Sequence, residues 1–233
     1  YEFNGNFENA SRGYRILPNP NLKSETSDGY EVGLRGNTNK SNFKLSTFIN
    51  KYKNFIQQFN SGASTDTTGT FRTDYVSQNV EKAEIKGYEF SYKYFLNDNR
   101  KGINLFTNLA YSEGDNTTDN VPLTSVNPFE IKYGVGFKSA NNKFSSKLTN
   151  THVGKARVAA DTTTFVPDAY TVTDLELAYA ANKTSEFTAG VYNIFDNTYY
   201  NYQDVQGQSA SLSNLTKYTQ PGTHFRVGFK FSF

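Results

Sequence analysis

The chain alternates between apolar and polar residues over long stretches, and this pattern predicts β-strands. The clearest stretch places Phe225, Val227, Phe229 and Phe231 on one parity, with polar, basic or glycine residues between them. Because successive side chains of a strand point to opposite faces, such a strand has one apolar and one wet face. We expect about nine strands, since the same period of two recurs in eight further segments: residues 25–36, 42–58, 88–94, 103–111, 130–138, 143–154, 171–179 and 186–191.

Strand length and loop length together predict an antiparallel transmembrane β-barrel. Most segments span about nine residues or more, whereas strands of soluble proteins usually have about five or six, and the greater length suits a tilted membrane crossing. Short turns on one side and long loops on the other are the plan of outer-membrane barrels, so the long links are expected outside the cell. Short polar connections at residues 37–40, 97–100, 140–142 and 181–183 alternate with long ones at 60–77, 112–126, 155–168 and 196–222.

A soluble β-sandwich or solenoid is the alternative that the same alternation allows. Composition favours the barrel, because 20 Phe and 17 Tyr enrich the apolar face while only 36% of the chain is hydrophobic, as a barrel with a wet interior requires. No run approaches the roughly 18 apolar residues of a spanning helix, so a membrane crossing would use strands. The predicted fold class is all-β.

The composition and the first residues also argue against several kinds of site, partner and leader segment. The chain has no Cys, which excludes disulfides and thiolate metal sites. Its net charge of +2 comes without a Lys/Arg cluster, which argues against nucleic acid as a partner. Its first residues show neither the basic nor the apolar region of a signal peptide, so we expect a processed chain or a fragment.

Three segments resemble TonB-dependent receptors of bacterial outer membranes. Gly190-Val191-Tyr192-Asn193-Ile194-Phe195-Asp196, closed by Tyr199-Tyr200, is similar to the family's penultimate-strand signature. Tyr218-Thr219-Gln220-Pro221-Gly222 is like the entry into the last strand of receptors for haem and haem proteins. Asn19-Pro20-Asn21-Leu22 has the form that an outer-loop motif takes in haem and haemoglobin receptors. The ending on Phe233 after an alternating strand also resembles the assembly signal of outer-membrane proteins.

The resemblance implies a multi-pass barrel of 22 strands in the bacterial outer membrane. Residues 1–233 would be its C-terminal portion, with the N-terminal plug and the earlier strands on another chain or fragment. The implied function is uptake of haem or of a haem protein such as haemoglobin, driven by the TonB energy-coupling complex through the plug. Haem would be a transported ligand, and no intrinsic cofactor is expected. A ferric siderophore receptor of the same architecture is the alternative, and a passive porin-like barrel is the alternative from a different class.

The resemblance also directs the search for ligand-binding residues. Haem receptors of this type are expected to bind haem through a loop His before the Asn-Pro-Asn-Leu box, but no His precedes His152. That ligand is therefore expected upstream of Tyr1 or not at all, and the phenolate of Tyr14 is the alternative. The metal ligands stay unknown. The candidate ligand-binding residues are Tyr14, Asn19, Asn21, His152, Tyr199, Tyr200, Tyr202, Tyr218 and His224.

Several of these candidates have a competing structural interpretation. Loop 196–222 is the strongest candidate for the capture surface, because tyrosine rings bury apolar area while their hydroxyls stay hydrogen-bonded. Tyr199 and Tyr200 also suit an outer aromatic girdle, and Asn19 before Pro20 suits a turn. His152 suits the headgroup level and His224 the solvated lumen lining.

No arrangement of residues predicts an enzyme. Asp174 and Glu176 alternate along one strand face, where lumen hydration explains them. No Ser-His-Asp order and no phosphate-binding Gly loop stands out in the sequence. An outer-membrane protease is the enzyme alternative, and the absence of clustered acidic and His residues weakens it.

Overall fold

A computed structural model describes residues 7–11, 13–160 and 163–232, and over these residues it is a meander of long antiparallel strands. The nine long strands that the alternation predicts are confirmed. They are β3 (Thr26–Asn37), β4 (Ser41–Ala63), β5 (Thr73–Phe95), β6 (Gly102–Asn116), β8 (Glu130–Lys138), β9 (Phe144–Val153), β10 (Tyr170–Ala180), β11 (Ser185–Tyr192) and β12 (His224–Phe231). Residues 1–6 and the terminal Phe233, whose position resembles the assembly signal, lie outside the described residues.

Three short strands and two short helices complete the fold. The strands are β1 (Phe7–Asn9), β2 (Tyr14–Leu17) and β7 (Val121–Pro122). The helices are α1 (Tyr202–Val205) and a 3₁₀-helix (Leu215–Tyr218), both within the link between β11 and β12. Among the described residues, no helix has the length and apolar character needed to cross a membrane.

Strand register brings the apolar residues of neighbouring strands onto one face. Phe229 pairs with Phe187 and Val227 with Ala189, while the polar parity pairs Lys230 with Glu186. The apolar side chains point outward, and Val227 is 88% exposed. Side chains this apolar and this exposed suit hydrocarbon rather than water. The sheet therefore has a continuous lipid-facing surface and a polar concave surface, as the sequence pattern predicts.

The short connections all lie at one end of the meander, which confirms their predicted alternation with long links. They join β3 to β4, β5 to β6, β8 to β9 and β10 to β11. Arg100 and Asn142 take positive φ values of 57° and 61° within two of these turns, a conformation that asparagine tolerates better than most residues. We call this end periplasmic and the opposite end outer.

The β4–β5 hairpin extends further than the sequence indicates. Residues 60–77 are not one long link, because β4 runs to Ala63 and β5 begins at Thr73, with Asn60 paired to Tyr75. The extension projects beyond the part of the sheet that faces lipid, so it needs no apolar face. The alternation that marks the other strands is therefore missing from this part of the sequence.

The buried core lies at the outer end, where the loops fold over the hairpin. Leu123 of the link after β6 is 1% exposed and packs with Val80 and Ala83 of β5. Val205 of α1 is fully buried. β1 and β2 join this assembly, because β1 pairs with β2 and β2 pairs in parallel with the outer end of β5. The long links thus form a packed layer above the concave face.

The two ends of the meander remain open over the described residues. β3 pairs only with β4, and β12 pairs only with β11. Unpaired backbone groups are costly in hydrocarbon. Closure with further strands, and the division of the receptor into plug and barrel, remain expectations.

Candidate functional site

A cavity of about 810 Å³ opens at the outer end, between the β4–β5 hairpin and the link from β11 to β12. We call it the vestibule. One wall carries the rings of Tyr14, Phe59 and Tyr75. The lining also contains six amide side chains, those of Gln57, Gln58, Asn60, Gln203, Gln206 and Gln208. Ligand sites usually combine aromatic walls with a few polar groups that fix orientation, so the vestibule is the best candidate for ligand capture.

The aromatic wall is held in a defined geometry. The rings of Tyr14 and Tyr75 meet edge to face, with centroids 5.7 Å apart and planes at 85°, an arrangement that aromatic pairs prefer. The Tyr75 hydroxyl donates to the carbonyl of Gly207 at 3.1 Å. Burial raises the pKa of Tyr75, and the nearby Tyr218 and Tyr14 raise it further. The Tyr75 side chain is therefore a neutral phenol that donates at physiological pH.

Thr124 connects three of the segments that form the vestibule. Its carbonyl accepts hydrogen bonds from the Tyr202 hydroxyl and from Nε2 of Gln206, both at 2.7 Å. Its hydroxyl accepts from Nε2 of Gln57 at 3.2 Å. Thr124 lies in the link after β6, and its donors lie in β4 and in the link between β11 and β12. These hydrogen bonds therefore fix the hairpin and the two links relative to one another. A preformed cavity of this kind loses little conformational entropy when a ligand binds.

An ion pair of Arg15 with Asp74 fixes the strand that carries Tyr14. Asp74 is 1% exposed, and it also accepts hydrogen bonds from the Ser64 hydroxyl at 2.7 Å and from the Thr65 backbone N–H at 2.9 Å. The Arg15 guanidinium lies 5.5 Å from the Phe71 ring centroid. These contacts hold the pKa of Asp74 well below its usual range, with the Arg15 hydrogen bond as the largest cause. β2 is thus attached to the hairpin at its tip.

The predicted tyrosines divide into wall and packing positions. Tyr14 and Tyr202 line the vestibule, but Tyr202 is 5% exposed and its hydroxyl is used by Thr124. Tyr218 is buried, and its hydroxyl has no hydrogen-bond partner among the described residues. Tyr199 packs on Tyr170 with centroids 4.3 Å apart, and Tyr200 packs on Phe165 at 5.2 Å. Neither Tyr199 nor Tyr200 lines the vestibule.

The asparagines of the Asn-Pro-Asn-Leu segment make structural contacts. Nδ2 of Asn19 donates to the carbonyl of Ser77 at 2.8 Å, and Oδ1 of Asn19 accepts from the backbone N–H of Asn21 at 3.0 Å. Further along, Oε2 of Glu25 accepts from the backbone N–H of Ile56 at 2.8 Å. These bonds attach the segment to both strands of the hairpin. Ligand contact by Asn19 or Asn21 remains a prediction.

The two histidines lie on opposite faces of the sheet. His152 has the outward parity, pairing with Ile131 and Thr171, and its Nδ1 lies 2.9 Å from the Thr171 hydroxyl. His224 has the lumen parity and stacks on Tyr192 with centroids 5.2 Å apart. In the described part of the chain, no group of three or more His, Cys, Asp or Glu residues could hold a metal ion. The two histidines therefore do not form a joint site.

The sequence pattern did not identify two of the three wall rings or the Thr124 connection. Phe59 and Tyr75 lie where β4 and β5 project beyond the lipid-facing surface, and this part of the chain has no apolar parity. Thr124 falls in a polar link. The sequence gives one local indication of this aromatic wall: Phe55, Phe59 and Tyr75 flank a turn rich in Thr and Gly.

Sequence comparisons give relatives over most of the chain. The family model described as TonB dependent receptor-like, beta-barrel matches residues 1–194. Hemoglobin-haptoglobin utilization protein B of Neisseria meningitidis is 26% identical over 94% of this chain and 32% of its own length. Heme/hemopexin utilization protein C of Haemophilus influenzae is 26% identical over 85% of this chain and 30% of its own length. The chain thus spans about a third of the length of these curated relatives.

Solved structures confirm the fold. The copper transporter OprC superposes with a TM-score of 0.76 at 24% identity, over 91% of this chain and 32% of its own. A mutant of the ferric enterobactin receptor of Pseudomonas aeruginosa gives a TM-score of 0.67 at 25% identity, over 94% of this chain and 33% of its own. The two curated relatives are named for utilization of haem or haem proteins, which agrees with the expectation that this chain is not an enzyme.

Proposed function

The chain belongs to the family of TonB-dependent receptor β-barrels, whose strands lie in the outer membrane, and from this premise we propose that its receptor takes up haem from a haem protein such as haemoglobin. The vestibule captures the ligand on the outer face. The energy-coupling complex then acts through the plug of the receptor, and haem leaves through the lumen. The further strands of the barrel complete the wall.

The observation that carries this proposal is the match to relatives named for haemoglobin and haptoglobin over 94% of the chain. That span covers nearly all the residues of the vestibule as well as the strands. A relationship of this extent supports a common ligand class more strongly than fold alone, because fold does not determine function.

The chemistry of the vestibule supports the same ligand class. Phe59, Tyr14 and Tyr75 offer ring faces and edges to a porphyrin or to the apolar surface of a globin. The amide side chains around them suit hydrogen bonding at the edge of a ligand. Tyr14 is the vestibule residue whose phenolate could bind ferric haem.

Uptake of a ferric siderophore is the second candidate, and one observation favours it. Ferric enterobactin receptors share the fold with a TM-score of 0.67 over 94% of the chain. An aromatic vestibule would also suit a catecholate siderophore. The two candidates predict different binding partners and are separable by experiment.

Binding to the whole receptor in outer membranes distinguishes them. Titration with haemin is expected to give a shifted Soret band, and haemoglobin is expected to bind and to compete. Tyr14→Ala should weaken binding of haemin and haemoglobin by about tenfold or more, since it removes a ring of the wall. Tyr14→Phe separates packing from ligation, because only loss of a phenolate ligand would change the Soret spectrum in that variant.

Phe195→Ala provides the matched control. Phe195 is 70% exposed and does not line the vestibule, so binding should be unchanged in this variant. A receptor that binds a ferric catecholate tightly and neither haemin nor haemoglobin would establish the second candidate instead.

A further inference from the structure

The concave face of the sheet carries a second depression, closer to the periplasmic turns. It has a volume of about 770 Å³, within the range of roughly 300–1,000 Å³ that ligand sites occupy. Five basic side chains line it: Lys93, Lys138, Lys147 and Arg226 lie on four strands, and Arg100 lies in the turn between β5 and β6. Glu176 is the one acidic residue among the described residues of its lining. We call this surface the basic wall.

Among the described residues, the four strand cations of the basic wall form no ion pair, whereas Lys86, Lys132 and Arg157 elsewhere all do. Glu176 is the cross-strand neighbour of Lys147 and is the one carboxylate near them in the described lining. Five cations against one carboxylate on the concave face create a positive potential that attracts anions. The basic wall therefore favours anionic ligands.

Three of the strand cations lie over aromatic rings. Nζ of Lys93 is 5.2 Å from the Phe95 centroid, and Nζ of Lys147 is 5.0 Å from the Phe106 centroid. The Arg226 guanidinium carbon is 4.9 Å from the Tyr192 centroid. Such cation–π contacts place charge and ring side by side on the wall. A ligand lying on this surface meets apolar faces and positive charge together.

Glycines let two of these rings lie across the strands. A Cβ on Gly190 would be 2.7 Å from the Tyr192 ring, and a Cβ on Gly134 would be 2.9 Å from the Phe106 ring. The rings therefore occupy the space that side chains at these glycines would fill. Each ring therefore lies close to the backbone at its glycine and also carries a cation, Lys147 over Phe106 and Arg226 over Tyr192.

We propose that the basic wall is a transit site for planar aromatic carboxylates, with the rings of Phe106 and Tyr192 contacting the macrocycle and the cations binding its carboxylates. An iron porphyrin with two propionates has this chemistry. This inference rests on the proposed function and deepens it, because it places a second site on the path below the vestibule. The two sites differ in charge, since the vestibule binds mainly through rings and amides.

The test measures surface binding and internalisation separately on the whole receptor. It is expressed in cells that lack other haem receptors and retain a functional TonB complex. Lys147→Glu combined with Arg226→Glu should leave haemin bound at the surface of de-energised cells unchanged. Internalisation of haemin in energised cells should fall by about tenfold or more, the effect of losing a charge-assisted hydrogen bond to a carboxylate.

Haemin dimethyl ester is the matched ligand control, because it keeps the macrocycle and lacks free carboxylates. Its internalisation should be the same in the unmodified and the doubly substituted receptor. Lys230→Glu is the matched variant, since Lys230 shares the lumen parity of β12 and does not line the basic wall. Haemin internalisation should be unchanged in that variant.

Several outcomes would overturn the transit site. Unchanged haemin internalisation in the double variant would do so, and so would an equal fall for haemin and its dimethyl ester, which would instead indicate altered fit of the domain that fills the lumen. An equal fall in Lys230→Glu would show a general charge effect. If the unmodified receptor binds no haemin at its surface, the proposed function fails first, so the two failures are distinguishable.

Discussion

Arg15 and Asp74 face each other with two parallel hydrogen bonds, from Nε to Oδ1 at 2.9 Å and from Nη2 to Oδ2 at 2.8 Å. Bidentate pairs of this geometry are among the stronger polar contacts in proteins. Asp74→Ala leaves the Arg15 charge, whose side chain is 15% exposed, without its partner. We expect β2 to detach more readily from the hairpin, and the segment 13–25 to become accessible to added protease.

Asp98→Ala is the control for this prediction. Asp98 pairs with Lys40 at 3.6 Å in a periplasmic turn, and its side chain is 71% exposed, so its loss should change protease resistance little. Equal resistance of the Asp74→Ala variant and the unmodified receptor would show that the ion pair does not hold β2.

The tip of the β4–β5 hairpin should be sensitive to acid. Hydrogen bonds from the backbone N–H of Phe71 and from Thr68 lower the pKa of Asp66 to about 2, and the pKa of Asp74 is also lowered. A carboxylate with a depressed folded pKa stabilises the fold above its unfolded pKa, near 3.9, and this contribution is lost as the pH falls toward the folded value. The hairpin tip should therefore be intact at pH 5 and loosen between about pH 4 and pH 2.

Pepsin cleavage measured across this pH range checks the prediction. New cleavage within residues 64–76 should appear only below about pH 4. Asp66→Asn and Asp74→Asn together should remove most of the pH dependence of cleavage, once cleavage is normalised to that of an unfolded substrate at the same pH. Normalised cleavage that is already complete at pH 5 in the unmodified receptor would assign the sensitivity to another group.

Charged residues on the lipid-facing side of β12 should destabilise the fold, and the cost should depend on how deep the residue lies in the membrane. Val227 lies in the middle of the strand and is 88% exposed, while Phe231 lies at its periplasmic end. Val227→Arg should lower the free energy of unfolding in lipid vesicles by about 2–4 kcal/mol, and Phe231→Arg by about 0–1 kcal/mol. Thr188→Arg, on the lumen parity of β11, should cost little. A larger loss for Thr188→Arg than for Val227→Arg would invert the assignment of the two faces.

Gly134 permits the close approach of β8 and β9. A Cβ there would collide with the carbonyl oxygen of Leu148 and crowd the Phe106 ring. Gly134→Ala should therefore lower the free energy of unfolding by about 1–3 kcal/mol, the usual cost of overpacking. Gly154→Ala is the matched change, because its Cβ would meet Phe129 at an ordinary 3.5 Å. Equal unfolding midpoints for the two variants would show that the strands can move apart without cost.

Sequence pattern predicted the strands wherever one face meets lipid. The alternation from Phe225 to Phe231 fixed the position of β12, and the short turns followed from polar residues between alternating segments. The pattern did not predict the strands between Asn60 and Tyr75. Strands that project beyond the membrane have no lipid-facing side, so their apolar and polar residues do not alternate. Burial of Val205 and Tyr202 was also missed, since packing of one polar link on another leaves no periodic signal.

The candidate site was only partly predictable for the same reason. Tyr14 and the importance of the link 196–222 followed from tyrosine content and from the family resemblance. The vestibule itself depends on long-range contacts such as Tyr75 with Gly207, which join segments far apart in sequence. No local pattern encodes a contact of this kind.

Iron-limited growth tests the central claim most directly. The whole receptor is expressed in an outer-membrane host that lacks its own receptors for haem and siderophores, and haemoglobin, haemin or a ferric catecholate is supplied as the sole iron source. The account predicts growth on haemoglobin and haemin that requires a functional TonB complex and is reduced by Tyr14→Ala. Growth on the ferric catecholate alone, with none on haemoglobin or haemin, would contradict it.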